Sequence, residues 1–309
     1  MATSGSIDFT LTRDTLIKAA YQYTGYLGEG DTPSATQYSE AATLLNMMVK
    51  AWMADGMQLW ATKRGYVLPT TGVSSGIFGT DNIVTAYTRT TLSAAAAASA
   101  STVVVTSATG ISSGYAIGVE LTDNTMHWTT VNGAPSGTTV TLTTALPSAA
   151  SSGGDVYTYA TTTRIVTPKR ILDANILYPA TGVGQIITQI SQYQYYAFSN
   201  RTTASLPNQY FFDPQLSPSL YWYPRFNTGD AIIEFTFLRT FEDFDATGDN
   251  PDFPQEYYLA LVVGLAALLS GKTGMDLKER QMLAAEAAAY KEQALGMNFP
   301  ESSVNIQPA

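Results

Sequence analysis

The chain has 309 residues, of which 45% are hydrophobic, so it is long enough for about two domains with a sizeable core. Only 13% are charged, and the net charge is −9, which together with the lack of any basic run excludes a protein that grips nucleic acid through clustered Lys and Arg. There is no cysteine, which excludes disulfides and thiolate metal sites. Residues 1–14 lack a secretory pattern and the apolar stretch 257–269 is too short to span a bilayer, so we expect a protein made in the cytoplasm without a membrane partner.

Two helices are predicted in residues 13–56. Thr12 is a suitable N-cap for the first helix, with Asp14 in its first turn, and Ser34 with Gln37 forms a capping box for the second. Spacing places the apolar faces at Leu16, Ala19, Ala20 and Tyr23 on the first helix and at Tyr38, Ala41, Leu45, Met48 and Trp52 on the second.

Short extended runs begin near residue 66. Residues 88–161 form an almost uncharged segment in which Thr/Val alternation and Gly-containing turns predict a small antiparallel module, inserted into a loop of the main β region. The main region then predicts strands at 170–177, 185–190, 209–212, 220–223 and 231–238.

Two further helices are predicted near the C-terminus. The first, over 255–270 with Pro254 at its start, is apolar almost all round and should therefore be central in a core. The second covers 276–295, with a predicted inner face of Leu277, the Arg280 stem, Ala284, Ala288 and Leu295.

The predicted fold class is α+β, with a helical bundle formed by the N- and C-terminal helices, a central antiparallel β domain and an inserted small β module. We expect the two helical ends to pack together because neither has enough apolar faces for a core alone. The predicted domains are a helical hairpin at 1–66, a β domain at 67–250 with the module at about 88–161, C-terminal helices at 251–296 that complete the bundle, and an extended arm at 297–309.

Side chains suited to catalysis are scarce. The single histidine, His127, lies in an alternating Met-His-Trp run typical of a strand, without the nucleophile and orienting group that a triad needs. One histidine without cysteine builds no zinc site, and no glycine-rich phosphate loop follows a strand. We therefore predict no enzymatic activity, no cofactor, and no catalytic, cofactor-binding or metal-binding residues.

Acidic residues cluster at Glu242, Asp243, Asp245, Asp249 and Asp252. Their spacing loosely resembles a calcium loop but lacks its twelve-residue order and terminal bidentate Glu, so a solvated loop is favoured. Glu29 with Asp31 is explained by a glycine-flanked loop between helices, although paired carboxylates for glycoside cleavage stay open as an alternative. The 19 tyrosines indicate either a sugar-binding surface or protein interfaces, and interfaces are favoured because tyrosine gives a large contact area at low entropy cost.

Four segments carry a resemblance in their order and spacing: TRDTLIKAAYQYTGYLGEGDTPSATQYSEAATLLNMMVKAWMADGMQLW, RIVTPKRILDANI, the QYFFDP…LYWYP hairpin and NPDFPQEYYLALVVGLAALLSGKTG. Together they resemble head-to-tail adaptor proteins of tailed bacteriophages, of the packaged-DNA stabilisation (tail accessory) type found in short-tailed phages. The resemblance covers most of the chain and excludes residues 88–161.

The resemblance implies a virion structural protein of the portal vertex, assembled in the host cytoplasm. Such a protein forms a homo-oligomeric ring, usually a dodecamer, that binds beneath the portal protein, extends the DNA channel, helps retain packaged DNA and gives a platform for a downstream tail (nozzle) protein. Genomic DNA passes through the channel without sequence-specific binding, and the inserted module is a place for tail-fibre or decoration proteins. The portal-binding arm implied here comprises Asn298, Phe299, Pro300, Val304, Asn305 and Ile306. A carbohydrate-binding tail or adhesin component and, from the carboxylates alone, a wall-degrading enzyme are the competing hypotheses.

Overall fold

The computed structural model describes residues 5, 9–55 and 59–296, which divide between two compact units. One unit combines Met1–Ala61 with Thr240–Ala309, and the other is Thr62–Arg239. The described residues contain five α-helices and several antiparallel sheets, so the predicted mixed α and β class is confirmed.

The helices are α1 (Arg13–Tyr23), α2 (Ala35–Ala54), α3 (Gln192–Ala197), α4 (Tyr258–Leu269) and α5 (Leu277–Gly296). All except α3 lie in the first unit, where they contribute to one hydrophobic core. Helix α1 begins after Thr12, whose side chain accepts a hydrogen bond from the backbone N–H of Thr15. Helix α2 begins with the predicted capping box of Ser34 and Gln37, so both predicted N-termini are confirmed.

Helix α4 is buried on nearly all sides, as its continuous apolar sequence predicts. Its centre approaches α2 closely at Gly264, where an added Cβ would lie 3.0 Å from Met48 Sδ and 3.0 Å from Trp52 Cζ2. Glycine at this position therefore allows the two helices to pack at this distance.

The predicted inner face of α5 is wrong by about one residue of rotation. Leu277, Arg280, Ala284 and Ala288 are exposed, and Leu283 and Ala294 are buried. Ala287, Tyr290 and Leu295 complete the face that packs on the core, so of the predicted inner face only Leu295 is confirmed. The error has a simple cause: alanines occupy so many positions of this helix that several faces are almost equally apolar.

The strands of the second unit are β1 (Thr62–Val67), β2 (Ser75–Ile77), β3 (Ile83–Val84), β4 (Thr88–Thr91), β5 (Thr102–Val104), β6 (Ala116–Glu120), β7 (Met126–Thr130), β8 (Thr139–Thr141), β9 (Asp155–Tyr159), β10 (Arg170–Tyr178), β11 (Val183–Ile186), β12 (Thr188–Gln189), β13 (Gln209–Asp213), β14 (Ser219–Tyr223) and β15 (Ile232–Leu238). They form a five-stranded sheet in the order β11-β10-β15-β1-β3 and a four-stranded sheet in the order β12-β13-β14-β2. A second four-stranded sheet, β4-β9-β6-β7, and the pair β5-β8 lie within residues 88–161.

Four of the five predicted strands of the main region match β10, β13, β14 and β15 to within about one residue. The fifth, 185–190, is wrong, because the chain leaves the five-stranded sheet after β11 and joins the four-stranded sheet as β12. Ile187 is buried where the chain changes sheets. The adjacent Ile186 and Ile187 interrupt the alternation at the crossing, with Ile186 exposed and Ile187 buried, but the sequence pattern does not identify the new pairing partner.

The core of the main β region lies among side chains from both of its sheets. Phe235 of β15 packs with Phe78 at a ring distance of 6.2 Å, and Phe78 in turn contacts Phe212 of β13 at 5.9 Å. Trp222 of β14 is 2% exposed, and its Nε1 donates a hydrogen bond to Val73 O at 3.0 Å.

Residues 88–161 have a hydrophobic cluster of their own, and their first and last strands are neighbours. Strands β4 and β9 pair from Thr88↔Thr158 to Thr91↔Asp155, so the chain enters and leaves this segment side by side. Hydrogen bonds join the segment to the main β region, among them those from Trp128 Nε1 to Pro69 O at 2.8 Å, from Met126 N to Thr71 Oγ1 at 3.1 Å and from Tyr159 OH to Asn82 Oδ1 at 2.6 Å.

Candidate interaction surface

Strands β13 and β14 present aromatic side chains on both faces of their sheet. Tyr210, Phe212, Leu220 and Trp222 alternate with the other residues and belong to the core. Phe211, Tyr221 and Tyr223 occupy the intervening positions and therefore lie on the opposite face. Phe211 and Tyr221 stack with ring centroids 5.6 Å apart.

Helix α3 covers part of this second face. Ser191 and Gln194 form a capping box that starts the helix. Tyr195 is buried beneath it, with its ring 5.2 Å from that of Tyr221. Just after the helix, Phe198 stacks on Tyr223 at 4.1 Å with an angle of 16° between the rings. Aromatic contacts therefore hold a helix too short to be stable alone.

Two tyrosines of α3 are exposed. Tyr193 is 83% exposed and Tyr196 is 50% exposed. The Arg201 guanidinium lies 5.1 Å from the centroid of Tyr196, within range of a cation–π contact. We refer to Tyr193, Tyr196, Phe198, Arg201, Tyr221 and Tyr223 as the tyrosine platform.

A shallow groove of about 260 Å³ adjoins the platform, lined by Ile190, Tyr193, Gln194, Ala197, Phe198 and Gln209. Its lining carries no charge, and Gln209 Oε1 is buried there without a hydrogen-bond partner. Burial raises the pKa of Tyr221, so its phenol is neutral at physiological pH. Exposed rings beside an uncharged groove suit an uncharged ligand or a protein surface.

A buried ion pair lies in the 88–161 segment. Arg89 Nη2 of β4 contacts Asp155 Oδ1 of β9 at 2.5 Å, and Tyr157 OH donates to Asp155 Oδ2 at 3.3 Å. Glu120 of β6 accepts a hydrogen bond from the backbone N–H of Asp155 at 2.9 Å. Burial raises the pKa of the Asp155 and Glu120 carboxyls, while the Arg89 charge opposes the shift. These contacts join three strands of one sheet and leave Asp155 4% exposed, so we interpret them as structural.

The acidic cluster near residue 245 caps a loop. Asp249 Oδ2 accepts hydrogen bonds from the backbone N–H groups of Asp245 and Ala246, at 2.8 and 2.6 Å. Asp252 Oδ2 accepts from Glu242 N at 3.2 Å, and Asp243 pairs with a lysine of α2. Within the described parts of the chain, no group of three or more His, Asp or Glu side chains could hold a metal ion.

The other titratable residues singled out in the sequence lie apart from the platform's contacts. Asp31 Oδ2 accepts a hydrogen bond from Gly28 N at 3.2 Å, which closes the loop between α1 and α2; Glu29 is exposed in the same loop. His127 lies on β7, as predicted, with Nε2 3.3 Å from Thr144 O. The predicted portal-binding residues Asn298, Phe299, Pro300, Val304, Asn305 and Ile306 lie outside the described residues.

The sequence pattern pointed to tyrosines but not to their arrangement. Helix α3 was not predicted, although the capping box of Ser191 and Gln194 was a usable signal for it. Among the described residues, no helix is both long and apolar enough to cross a bilayer.

Comparison with known proteins identifies no family. No family model matches the sequence, and no curated protein matches it. Among solved structures, the chain is similar to VP17, a capsid protein of bacteriophage P23-77, with 9% identity, a TM-score of 0.13 and coverage of 59% of this chain and 76% of that chain. A TM-score this low carries no argument about fold or function.

Proposed function

We propose that the protein is a virion structural protein, a head-to-tail connector of a tailed bacteriophage that forms a ring beneath the portal. The observation that carries the proposal is the ordered series of four segments that resemble such connectors. They correspond to α1 with α2, to β10, to the β13–β14 hairpin and to α4. In this proposal α1, α2, α4 and α5 form the helical bundle of the connector, and the chain has no catalytic, cofactor or metal site.

The surface composition supports a role in an assembly. Only 13% of the residues are charged, and large apolar side chains such as Tyr193, Ile186 and Leu216 are more than 80% exposed. Exposed apolar side chains are typical of surfaces that other proteins cover. The net charge of −9 also suits a channel wall past which DNA slides without being held.

Electron microscopy of the purified chain mixed with its phage's portal ring tests the proposal. We expect a second ring stacked coaxially on the portal, with dodecameric symmetry, and a surface available for the downstream tail protein. Bare portals beside free particles of this protein, over a range of salt concentrations, would contradict a connector role.

Deleting residues 297–309 is expected to abolish binding to the portal while leaving the fold intact. The resemblance assigns portal contact to this arm, and an arm that orders on binding supplies its apolar anchors only in the complex. Portal affinity measured by co-sedimentation checks the loss, and circular dichroism checks the fold. A full-length chain with Phe299→Ala, Val304→Ala and Ile306→Ala is the matched variant; unchanged affinity in both proteins would refute the arm assignment.

The tyrosine platform favours a second candidate function, a carbohydrate-binding component of the tail. Tyr193 is 83% exposed and can stack on a sugar, and the adjoining groove is lined by uncharged side chains. This candidate differs from the connector in requiring a soluble ligand for the platform.

Replacing Tyr193 by Ala is expected to reduce glycan affinity about fivefold if the second candidate is correct, because a stacked ring contributes about 1 kcal/mol. Glycan-array binding followed by calorimetry measures the change. Tyr193→Phe keeps the ring and should keep affinity, and Leu216→Ala is an exposed control. A wild-type chain that binds no glycan excludes this candidate and leaves the connector proposal unaffected.

A further inference from the structure

The five-stranded sheet has one covered edge and one open edge. Beyond β3, residues 163–165 continue the pairing through a bridge from Val84 to Arg164 and a hydrogen bond from Ile165 N to Ile83 O at 3.0 Å. On the other side, β11 pairs with β10, and among the described residues no strand pairs with its outer side. All four residues of β11 are exposed.

The register identifies the backbone groups that point outward. Ile187 N donates a hydrogen bond to Ala174 O of β10 at 3.0 Å. Because inward and outward groups alternate along an antiparallel strand, those of Val183 and Gln185 also face β10. The N–H and C=O groups of Gly184 and Ile186 therefore point away from the sheet.

This short edge lacks the charge, the proline and the bulge that often prevent strands from pairing between molecules. Residues 183–186 read Val-Gly-Gln-Ile and contain no charged residue and no proline, and Ile186 is 81% exposed. No bulge interrupts the register with β10. An exposed apolar edge of this kind is a template for another strand.

The absence of charge around β11 makes a second copy of this chain a suitable partner for the open edge. Two copies with a net charge of −9 repel each other wherever their acidic surfaces meet. The continuous segment from Ala174 to Asn200 contains no charged residue, and β11 lies within it. Contact along β11 therefore places an uncharged segment against an uncharged segment.

We propose that β11 pairs antiparallel with β11 of a second copy, about a two-fold axis at Gln185. The outward groups of Gly184 then exchange hydrogen bonds with those of Ile186 in the second copy, and the reciprocal pair forms by symmetry. Each Ile186 side chain lies beside Gly184 of the other copy, where no Cβ stands in its way. The inference goes beyond the connector proposal and does not depend on it, because it concerns pairs of free copies.

A cysteine at the axis tests the register directly, because the natural chain contains none. In the proposed pair, the two Gln185 residues face each other as a non-hydrogen-bonded pair with Cα atoms about 4.5 Å apart, close enough for a disulfide. Gln185→Cys in the full chain is expected to form a disulfide-linked dimer at least about tenfold faster than Leu216→Cys, a fully exposed site on another hairpin. Equal rates at the two sites would overturn the proposal.

A charged substitution on the edge gives a second test, which measures reversible dimerisation and needs no disulfide. Ile186→Lys places an ammonium group on the outward-facing edge and is expected to convert the dimer to monomer in sedimentation equilibrium. Ile77→Lys, on the edge strand β2, is the matched control and should leave the dimer unchanged. A wild-type chain that stays monomeric up to its solubility limit, or a dimer that persists in Ile186→Lys, would refute pairing through β11. Neither result bears on portal binding, so the two proposals fail separately.

Discussion

Trp222→Ala is expected to lower the free energy of unfolding of the β unit by about 3–5 kcal/mol. Trp222 is 2% exposed, so the change removes the transfer free energy of an indole and leaves a cavity beside Leu220 and Phe226. Its Nε1 also donates to Val73 O, which loses its partner in the variant. Urea denaturation followed by circular dichroism measures the loss.

Two further variants separate the causes. Trp222→Phe retains most of the apolar volume and loses the hydrogen bond, so it should cost distinctly less than Trp222→Ala. Tyr193→Ala removes a ring that is 83% exposed and should change stability by less than about 0.5 kcal/mol. A loss below about 1 kcal/mol in Trp222→Ala would show that the β13–β14 hairpin does not depend on this core.

Trp222 lies in the core of the main β region, directly between two residues of the tyrosine platform in the sequence. Its neighbours Tyr221 and Tyr223 face the other side of the sheet. There Tyr221 contacts Tyr195 of α3, and Tyr223 stacks on Phe198 just after the helix. The platform is therefore held by a hairpin whose inner face is anchored at Trp222. Loss of that anchor should disrupt binding at the platform even though Trp222 contributes nothing to its surface.

Elements whose signal is local were predictable from the sequence. The caps at Thr12 and at Ser34 with Gln37 act over three residues, and the structure has both. Helix α4 is apolar in every direction, so its burial follows without knowledge of its neighbours. Mixed α and β class follows from such elements.

Features that depend on distant partners were not predictable. The pairing of the run 185–190 changes from β10 to β13, and the adjacent Ile186 and Ile187, which interrupt its alternation, do not identify the new partner. The buried face of α5 depends on which of several alanine-rich faces meets α4. The tyrosine platform likewise combines α3 and the residues that follow it with strand β14, so tyrosine content indicated a contact surface but not which tyrosines form it.

Arg89→Met is expected to destabilise the β unit by up to about 3–5 kcal/mol at neutral pH, because it leaves the buried Asp155 carboxylate without its counter-charge. Met is unbranched and apolar and ends near the position of the arginine Nε, so the change removes the charged guanidinium and keeps the packing of the stem. The double variant Arg89→Met/Asp155→Asn removes both charges and should recover much of the loss. Denaturation of the wild type, both single variants and the double variant gives the coupling between the two groups, and strictly additive losses would contradict a buried pair.

The loss in Arg89→Met should shrink as the pH falls. Burial raises the pKa of Asp155 and of the adjacent Glu120 in the folded protein, and the Arg89 cation, which opposes both shifts, is removed in the variant. A carboxyl whose folded pKa is raised favours folding in its protonated form, so its contribution is complete below the ordinary carboxyl pKa near about 4 and is lost as the pH rises through the folded value. Moving from pH 7 to pH 5 should therefore bring the variant closer to the wild type. A difference that stays constant or grows on acidification would show that Asp155 is not the group left uncompensated, and would point instead to lost packing of the Arg89 side chain.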